Sequence, residues 1–339
     1  MDRDSTTPGP DGRQPDAAPG RRAAPPASGV RIAWWDVPQA QRARVEDALG
    51  GRVVEAVTQA GGFSPGAAAR LRLADGRRAF AKAVSAAQNP DAPAFHRREA
   101  RIAAALPAEA PAPRLLAALD EDGWVVLVFE DVDGTAPAQP WRRDELRRAV
   151  AALADMARVL DPSPIDAPDI AESYDWMFKG WRRLAAARDA GADDLAGLDR
   201  RAARHLDRLA RAEADWPAAA AGTGLVHGDA RADNLLLTAD RVVVVDWPAA
   251  CVAAPWFDLV AMVPSVWMHS GRDLSREITE HPLVRDADPA AVTVLVIALT
   301  GFFLEQGRQP APAGLPTLRA FQSAQGDAAL AWLRERCAW

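Results

Sequence analysis

The chain has 339 residues, with 46 acidic and 40 basic side chains and a formal net charge of −6 at pH 7. This length can bury a sizeable core and favours about two domains. The negative charge and the lack of a long basic run argue against nucleic acid as a partner, and they suit a neutral or cationic small molecule. The only cysteines, Cys251 and Cys337, form no cluster with metal-ligand spacing, so neither a disulfide framework nor a zinc site is expected. These features predict a cytoplasmic protein.

Residues 1–29 are rich in Pro, Gly, Ala and charged side chains and show no apolar periodicity. Such a composition buries too little apolar surface to offset the entropy of ordering, so a disordered tail is predicted. Arg21 and Arg22 resemble part of an export signal, but the apolar segment that such a signal requires does not follow them. The longest apolar stretch, residues 290–304, is too short to cross a bilayer and predicts a buried helix, with no membrane association.

Residues 30–130 have the pattern of a small antiparallel sheet with one helix. A β-branched segment is followed by a glycine-rich break over residues 59–66, and Asp75-Gly76 marks a tight turn between the next two strands. A segment with helical spacing then precedes two further strands. The predicted strands are 52–58, 67–73, 78–84, 114–119 and 124–130, and the predicted helix is 95–106.

Residues 131–339 are predicted to be mainly helical, because long segments rich in Ala, Leu and Arg repeat their apolar residues at the helical period. The chain is therefore predicted to have an α+β fold with two lobes, residues 30–130 and 131–339, after the tail. The predicted helices are 142–160, 171–190, 198–214, 256–268, 289–304 and 315–335, and two short strands are predicted at 235–237 and 242–245.

The segment 225–237, which reads LVHGDARADNLLL, places His227, Asp229 and Asn234 in a loop between apolar runs. A second apolar run follows and ends at Asp246, twelve positions after the asparagine. In such an arrangement one acid orients a substrate hydroxyl, while an amide and a second carboxylate across a short hairpin hold Mg²⁺ against phosphates. The spacing therefore indicates phosphoryl transfer from a nucleotide.

Lys82 and Lys179 are the only lysines in the chain, which otherwise uses Arg for its basic side chains. A lysine in such a chain indicates a need for the compact ammonium group. Lys82 lies in the predicted strand 78–84, from which its flexible side chain can reach nucleotide phosphates. The alternative is a strand-edge lysine that prevents aggregation.

Residues 45–335 resemble the aminoglycoside phosphotransferase and choline kinase family, which shares the protein-kinase-like fold. The resemblance depends most on the loop motif and the acid that follows it. It implies that Asp229 is the catalytic aspartate and that Asn234 and Asp246 bind magnesium. The structural alternatives are a solvated loop acid for Asp229, a helix or turn cap for Asn234 and a strand-ending turn residue for Asp246.

The same resemblance implies that Lys82 binds phosphate and that Glu99, on the next helix, orients it. For Glu99 the alternative is a solvated charge on the helix face, because arginines flank it. The glycine-rich segment stands where the family has its phosphate-covering loop, although it departs from GxGxxG. Gly61, Gly62 and Ser64 are its predicted nucleotide-binding residues, with backbone N–H groups facing phosphate.

His227 is predicted to brace the loop structurally, without taking part in proton transfer. Asp258 resembles a family aspartate that holds the loop by hydrogen bonds, and the alternative is a first-turn acid that stabilises a helix N-terminus. Asp246 is followed by Trp247-Pro248, and no Ala-Pro-Glu segment closes an activation loop. A protein substrate is therefore less expected than a small molecule.

The resemblance implies an ATP-dependent kinase that requires Mg²⁺, with GTP as the alternative donor and a small hydroxyl compound, cationic or not, as acceptor. Choline, ethanolamine or another metabolite is the alternative acceptor, and a catalytically silent nucleotide-binding module is the alternative outside enzymes. Tyr174, Trp176 and Trp181 form an aromatic cage for a quaternary ammonium in one interpretation, but core packing is the default for such residues. No sequence feature predicts an oligomeric state.

Overall fold

A computed structural model describes residues 25, 31–59, 61, 66–312 and 315–337 of the chain. The N-terminal lobe is a five-stranded antiparallel sheet with the strand order β1-β2-β3-β5-β4, and α1 and α2 accompany it. A single 3-10 turn, Trp34–Asp36, precedes α1. In chain order the elements are α1 Gln39–Leu49, β1 Val53–Thr58, β2 Ala67–Leu73, β3 Arg78–Ser85, α2 Ala92–Ala105, β4 Leu115–Glu121 and β5 Trp124–Glu130.

The two faces of this sheet are covered by different helices. Side chains alternate along a strand, so every second residue of β3 faces α2, and Phe80, Lys82 and Val84 belong to that set. The alanines between them pack on the other face with Trp34 and Val45 from the segment that contains α1. This alternation carries the one strand lysine toward the helix that contains Glu99.

The C-terminal lobe is mostly helical and is built around one large apolar core. Two short antiparallel pairs, β6 with β9 and β7 with β8, interrupt the helices and frame the loop motif. The elements are α3 Arg143–Val159, α4 Ile170–Tyr174, α5 Gly180–Asp189, α6 Arg200–Arg204, α7 Leu206–Glu213, α8 Trp216–Ala220, β6 Gly224–Val226, β7 Leu235–Leu237, β8 Val242–Val244, β9 Cys251–Ala253, α9 Phe257–Ser270, α10 Arg272–Thr279, α11 Pro282–Arg285, α12 Pro289–Gly307 and α13 Leu318–Cys337.

Helix α12 is the apolar segment that the sequence predicts to be buried. Within the described part of the chain it is the one helix long and apolar enough to cross a membrane, by length and composition alone. It packs against α13, α5 and α8, and ten of its residues are buried. The crossing with α5 is close, because a Cβ on Gly180 would lie 2.1 Å from the backbone of Gly301. These contacts identify α12 as a core helix.

Two predicted helices are wrong as continuous elements. The predicted helix 171–190 is divided into α4 and α5 by the turns between Tyr174 and Gly180, where the Tyr174 hydroxyl donates a hydrogen bond to Gly228 O at 2.9 Å. The predicted helix 198–214 is divided at His205, whose ψ of 10° ends α6 and starts α7. In both cases tertiary contacts and local dihedrals override a uniformly helical composition.

Candidate active site

Lys82 lies on β3 in the interior of the sheet, where its neighbours are β2 and β5. The strand-edge interpretation is therefore wrong. Its ammonium contacts two carboxylates, Glu99 Oε1 at 2.7 Å and Asp246 Oδ1 at 2.6 Å. These two ion pairs connect the sheet, α2 and the segment that follows β8, so a single side chain joins the two lobes.

Two carboxylates share this one ammonium, and their pKa values move in opposite directions. Burial raises the pKa of Glu99 to about 7, and the attraction of Lys82 offsets only part of that increase. Burial also acts to raise the pKa of Asp246, but Lys82 overcomes it and lowers the value to about 2. Glu99 is 3% exposed, so the solvated helix-face interpretation is wrong.

Asp258, in the first turn of α9, binds the backbone of the loop motif. Its two carboxylate oxygens accept hydrogen bonds from His227 N at 2.7 Å and from Gly228 N at 2.8 Å. Gly228 has a φ of +85°, which L side chains rarely adopt, and the Tyr174 hydroxyl and Ala249 O stand where its Cβ would be. The loop is thus held at one point by a buried carboxylate and by close packing.

His227 is fully buried and connects the two sides of the site. Its Nδ1 accepts a hydrogen bond from Asp229 N at 3.2 Å, which leaves Nε2 to donate to Val245 O at 3.0 Å. The ring also meets Trp247 edge-on, with centroids 5.0 Å apart. These bonds fix the position of Val245, and so of the adjacent Asp246, relative to Asp229.

Asp229 and Asn234 are in direct contact. Asn234 Nδ2 donates to Asp229 O at 2.8 Å and to Asp229 Oδ2 at 3.1 Å, so the amide caps no helix. The Asp229 side chain is 42% exposed and lines a cavity, so an acceptor can reach it. Partial desolvation raises the pKa of this carboxyl, and Arg231 opposes the increase.

Two arginines near this cluster are absent from the sequence assignments. Arg231 Nη2 lies 3.3 Å from Asp229 Oδ2 and 3.0 Å from Asp233 Oδ2. Its place two residues after Asp229 in the loop motif is a signal that sequence analysis can use. Arg31 donates to Gly61 O at 2.7 Å, and burial lowers its pKa while Asp246 opposes the decrease. No motif in the sequence points to Arg31.

The donor atoms suit Mg²⁺. No group of three His, Cys, Asp or Glu side chains in the described ranges could hold a metal by itself. Mg²⁺ commonly takes one or two protein oxygens and completes its shell with phosphate and water. Asp246 uses Oδ1 for Lys82 and Asn234 uses Nδ2 for Asp229, so one hard oxygen remains on each side chain.

The glycine-rich segment is described only in part. Gly61 is placed through its carbonyl contact with Arg31, and Gly66 pairs with the same residue in a parallel bridge. Gly62 and Ser64 lie outside the described residues, so their predicted phosphate contacts stay predictions.

A cavity of about 420 Å³ opens beside Asp229 and is lined by both lobes. Tyr174 and Trp176 line it, but Trp181 is fully buried and donates from Nε1 to Ile297 O at 2.8 Å. The three residues therefore do not form the aromatic cage that was the alternative to core packing. Core packing is confirmed for Trp181, whereas Trp176 is 58% exposed at the cavity.

A family profile described as "Phosphotransferase enzyme family" matches residues 60–291 of the chain. None of the curated protein sequences compared with the chain matches it significantly. Among solved structures, an aminoglycoside phosphotransferase from Alicyclobacillus acidocaldarius subsp. acidocaldarius DSM 446 has 18% identity and a TM-score of 0.52, over 84% of this chain and 93% of that one.

Two further structures contain ligands. A thermostable mutant of aminoglycoside phosphotransferase APH(4)-Ia, in complex with AMP-PNP and hygromycin B, has 15% identity and a TM-score of 0.57, over 88% of this chain and 98% of its own. Spectinomycin phosphotransferase APH(9)-Ia, in complex with ADP and spectinomycin, has 11% identity and a TM-score of 0.55, over 88% and 98%. At these identities the likeness establishes the kinase-like fold.

Proposed function

Because the chain belongs to the phosphotransferase enzyme family, we propose that it moves the γ-phosphoryl group of ATP to a hydroxyl of a small molecule, with Asp229 as the catalytic residue. The observation that carries this proposal is the double ion pair of Lys82 with Glu99 and Asp246. It joins the nucleotide-binding sheet to the acidic cluster, as phosphoryl transfer between the lobes requires.

Phosphoryl transfer needs mainly positioning and charge neutralisation. Asp229 accepts a hydrogen bond from the acceptor hydroxyl, orients it and takes its proton late in the reaction. Lys82 binds phosphate oxygens, and Glu99 keeps its ammonium directed into the cleft. Arg231 lies beside Asp229 and neutralises negative charge near the transferred group.

Mg²⁺ and the glycine-rich segment belong to the same proposal. Asn234 and Asp246 would hold the ion, which neutralises charge on the phosphate oxygens when bound. Gly61, Gly62 and Ser64 would cover the phosphates, and His227 and Asp258 would keep the loop motif in place. ATP is the proposed donor, and GTP remains an alternative drawn from the sequence.

A cytoplasmic location is also proposed. The two cysteines are free, as thiols are in a reducing compartment, and Cys251 is buried. Choline, ethanolamine and other metabolites remain alternative acceptors. A catalytically silent module is disfavoured, because the family's cation is hydrogen-bonded to both of its carboxylate partners and its amide is hydrogen-bonded to Asp229.

The replacement Asp229→Asn tests this function. We expect kcat to fall by roughly 10² to 10⁴, the usual effect of removing a positioned base, while the affinity for MgATP stays nearly unchanged. The readout is ADP release with a phosphorylated acceptor from a pooled screen of aminoglycosides, choline analogues, sugars and neutral alcohols. Asp240→Asn, on the exposed turn between β7 and β8, is the matched control and should keep wild-type turnover. Wild-type turnover in Asp229→Asn would show that Asp229 is not the catalytic residue.

A further inference from the structure

The cavity beside Asp229 is lined mainly by apolar and aromatic side chains. Phe302, Phe303 and Phe321 contribute from the C-terminal helices, and Phe95 contributes from α2 in the other lobe. Phe95 and Trp176 are 53% and 58% exposed, although large apolar side chains are usually buried. Exposed apolar side chains that line a cavity are typical of a site that binds an apolar ligand.

The carboxylates in the described wall of the cavity all have cationic partners. Two of them bind Lys82, at 2.6 and 2.7 Å. The other two lie within 3.3 Å of the guanidinium of Arg231. An ammonium group of an acceptor would therefore compete with Lys82 or Arg231 for each of these carboxylates. The four carboxylates are Glu99, Asp229, Asp233 and Asp246.

Two arginines in the wall, Arg98 and Arg231, would repel a cation that comes close to them. Arg98 lines the cavity from α2 and has no hydrogen bond or ion pair with any residue that the structure describes. Arg231 lies over the ring of Phe321 at 5.7 Å, so that aromatic face already holds a cation. His96 is neutral at pH 7, because burial lowers its pKa to about 4.

Two uncharged polar groups in the wall lack partners. Gln325 on α13 is 3% exposed, and no described residue hydrogen-bonds its side-chain amide. The Ser173 hydroxyl is also buried without a partner within the described ranges. A buried polar group without a hydrogen bond is costly, so the Ser173 hydroxyl is suited to bind a ligand, and the Gln325 amide can add a second hydrogen bond from the same wall. An amide and a hydroxyl match hydroxyl, carbonyl or amide groups.

We infer that the acceptor is a largely apolar alcohol with neutral hydrogen-bonding groups, and that polycationic and quaternary ammonium alcohols are poor substrates. This inference rests on the proposed function, since it concerns the acceptor of that reaction. It replaces the cationic acceptor considered from the sequence with one that suits the apolar lining of the cavity and its paired carboxylates.

A matched pair of probes tests the inference. Chloramphenicol is a neutral aromatic diol, and its deacylated form is the same diol with a primary ammonium group. Binding of both, and of choline and kanamycin, is measured by calorimetry with the protein saturated by MgAMP-PNP. We expect chloramphenicol to bind at least about tenfold more tightly than each cation.

The replacement Gln325→Glu adds a carboxylate to the cavity with little change in shape. It should lower the ratio of chloramphenicol affinity to amine affinity by about tenfold, because the new carboxylate forms a charged hydrogen bond with the ammonium group of the amine. Gln39→Glu makes the same change at an exposed position on α1 and should leave the preference as in the wild type. If Gln325→Glu does not fold, Gln325→Met replaces it and should weaken chloramphenicol binding several-fold.

Tighter binding of any cation than of chloramphenicol by the wild type would overturn the inference. Absence of chloramphenicol binding at about 1 mM would overturn it as well, because a ligand this weakly held gains only about 4 kcal/mol. A protein that fails to bind MgAMP-PNP would instead contradict the proposed function, so the two failures are distinguishable.

Discussion

Lys82 holds two carboxylates at once, and this sharing explains why their pKa values diverge. Asp246 keeps its charge because the attraction of Lys82 outweighs the effect of burial. Glu99 is almost completely buried, and the attraction of Lys82 offsets only part of the increase in its pKa. Asp246 therefore stays anionic at pH 7, as the proposed Mg²⁺ ligand must be. The family resemblance implies that these residues lie together, but the packing of α2 against the sheet determines their charge balance.

The raised pKa of Glu99 predicts a pH dependence of stability. In the folded protein its pKa is about 7, against 4.5 for an unperturbed glutamate. The stabilising contribution is therefore fully present below pH 4.5 and is lost as the pH rises through about 7, by up to about 1.4 kcal/mol per pH unit. Glu99→Gln should remove this decrease from urea-unfolding free energies measured over that range. Glu55→Gln, on exposed β1, should retain it, and an unchanged profile in Glu99→Gln would contradict the assignment.

Asp246 has a φ of +71°, which Asn tolerates better than most residues. Asp246→Asn therefore removes the charge with little backbone strain. We expect the Mg²⁺-dependent part of ATP affinity to fall strongly in calorimetric titrations with magnesium and with EDTA, because a neutral amide oxygen holds the ion less well than a carboxylate. Lys82→Met should instead weaken ATP binding under both conditions. Wild-type metal dependence in Asp246→Asn would place the metal ligand elsewhere.

At the scale of the elements, the loop motif depends on a glycine that no other residue can replace without displacement. Gly228 and Gly76 have nearly equal φ values of +85° and +88°, but only Gly228 has atoms where a Cβ would lie. A Cβ there would be 2.3 Å from the Tyr174 hydroxyl and 2.5 Å from Ala249 O. Replacement of Gly76 therefore adds backbone strain alone, whereas replacement of Gly228 adds backbone strain and a steric clash.

Gly76→Ala should cost about 1 kcal/mol of unfolding free energy and leave kcat unchanged, because only conformational strain is added. Gly228→Ala should cost several kcal/mol and lower kcat at least about tenfold, because the catalytic loop must move away from Tyr174. Chemical unfolding and steady-state kinetics measure both quantities. Equal effects of the two replacements would show that the close packing at Gly228 does not position the loop.

The strands of the N-terminal lobe were predictable from alternation and turn residues, and all five occur close to the predicted positions. Helix α1 was not, because its sequence QAQRARVEDAL buries only Gln41 and Val45 and lacks an apolar stripe. The short strands β6 and β9 were also missed. They pair with each other across the loop motif, which local patterns do not reveal.

At the scale of the whole molecule, the residues of the predicted cluster meet because the two lobes enclose one cleft. The residue types and spacing of the loop motif predict Asn234 and Asp246 near Asp229, and the strand position of Lys82 predicts a phosphate contact. Only the family resemblance implies a role for Glu99. The cavity beside Asp229 was not predictable, because its wall combines α2, the segment after α4 and the C-terminal helices. Spacing in sequence carries no information on which aromatic side chains of distant helices meet.

Crystals grown with Mn²⁺ and AMP-PNP, examined by the anomalous scattering of manganese, would show where the metal and the phosphates bind. We predict one manganese ion about 2.1 Å from side-chain oxygens of both Asn234 and Asp246, with Lys82 on the phosphates. A metal bound away from these two residues, or phosphates out of reach of Lys82, would contradict the account.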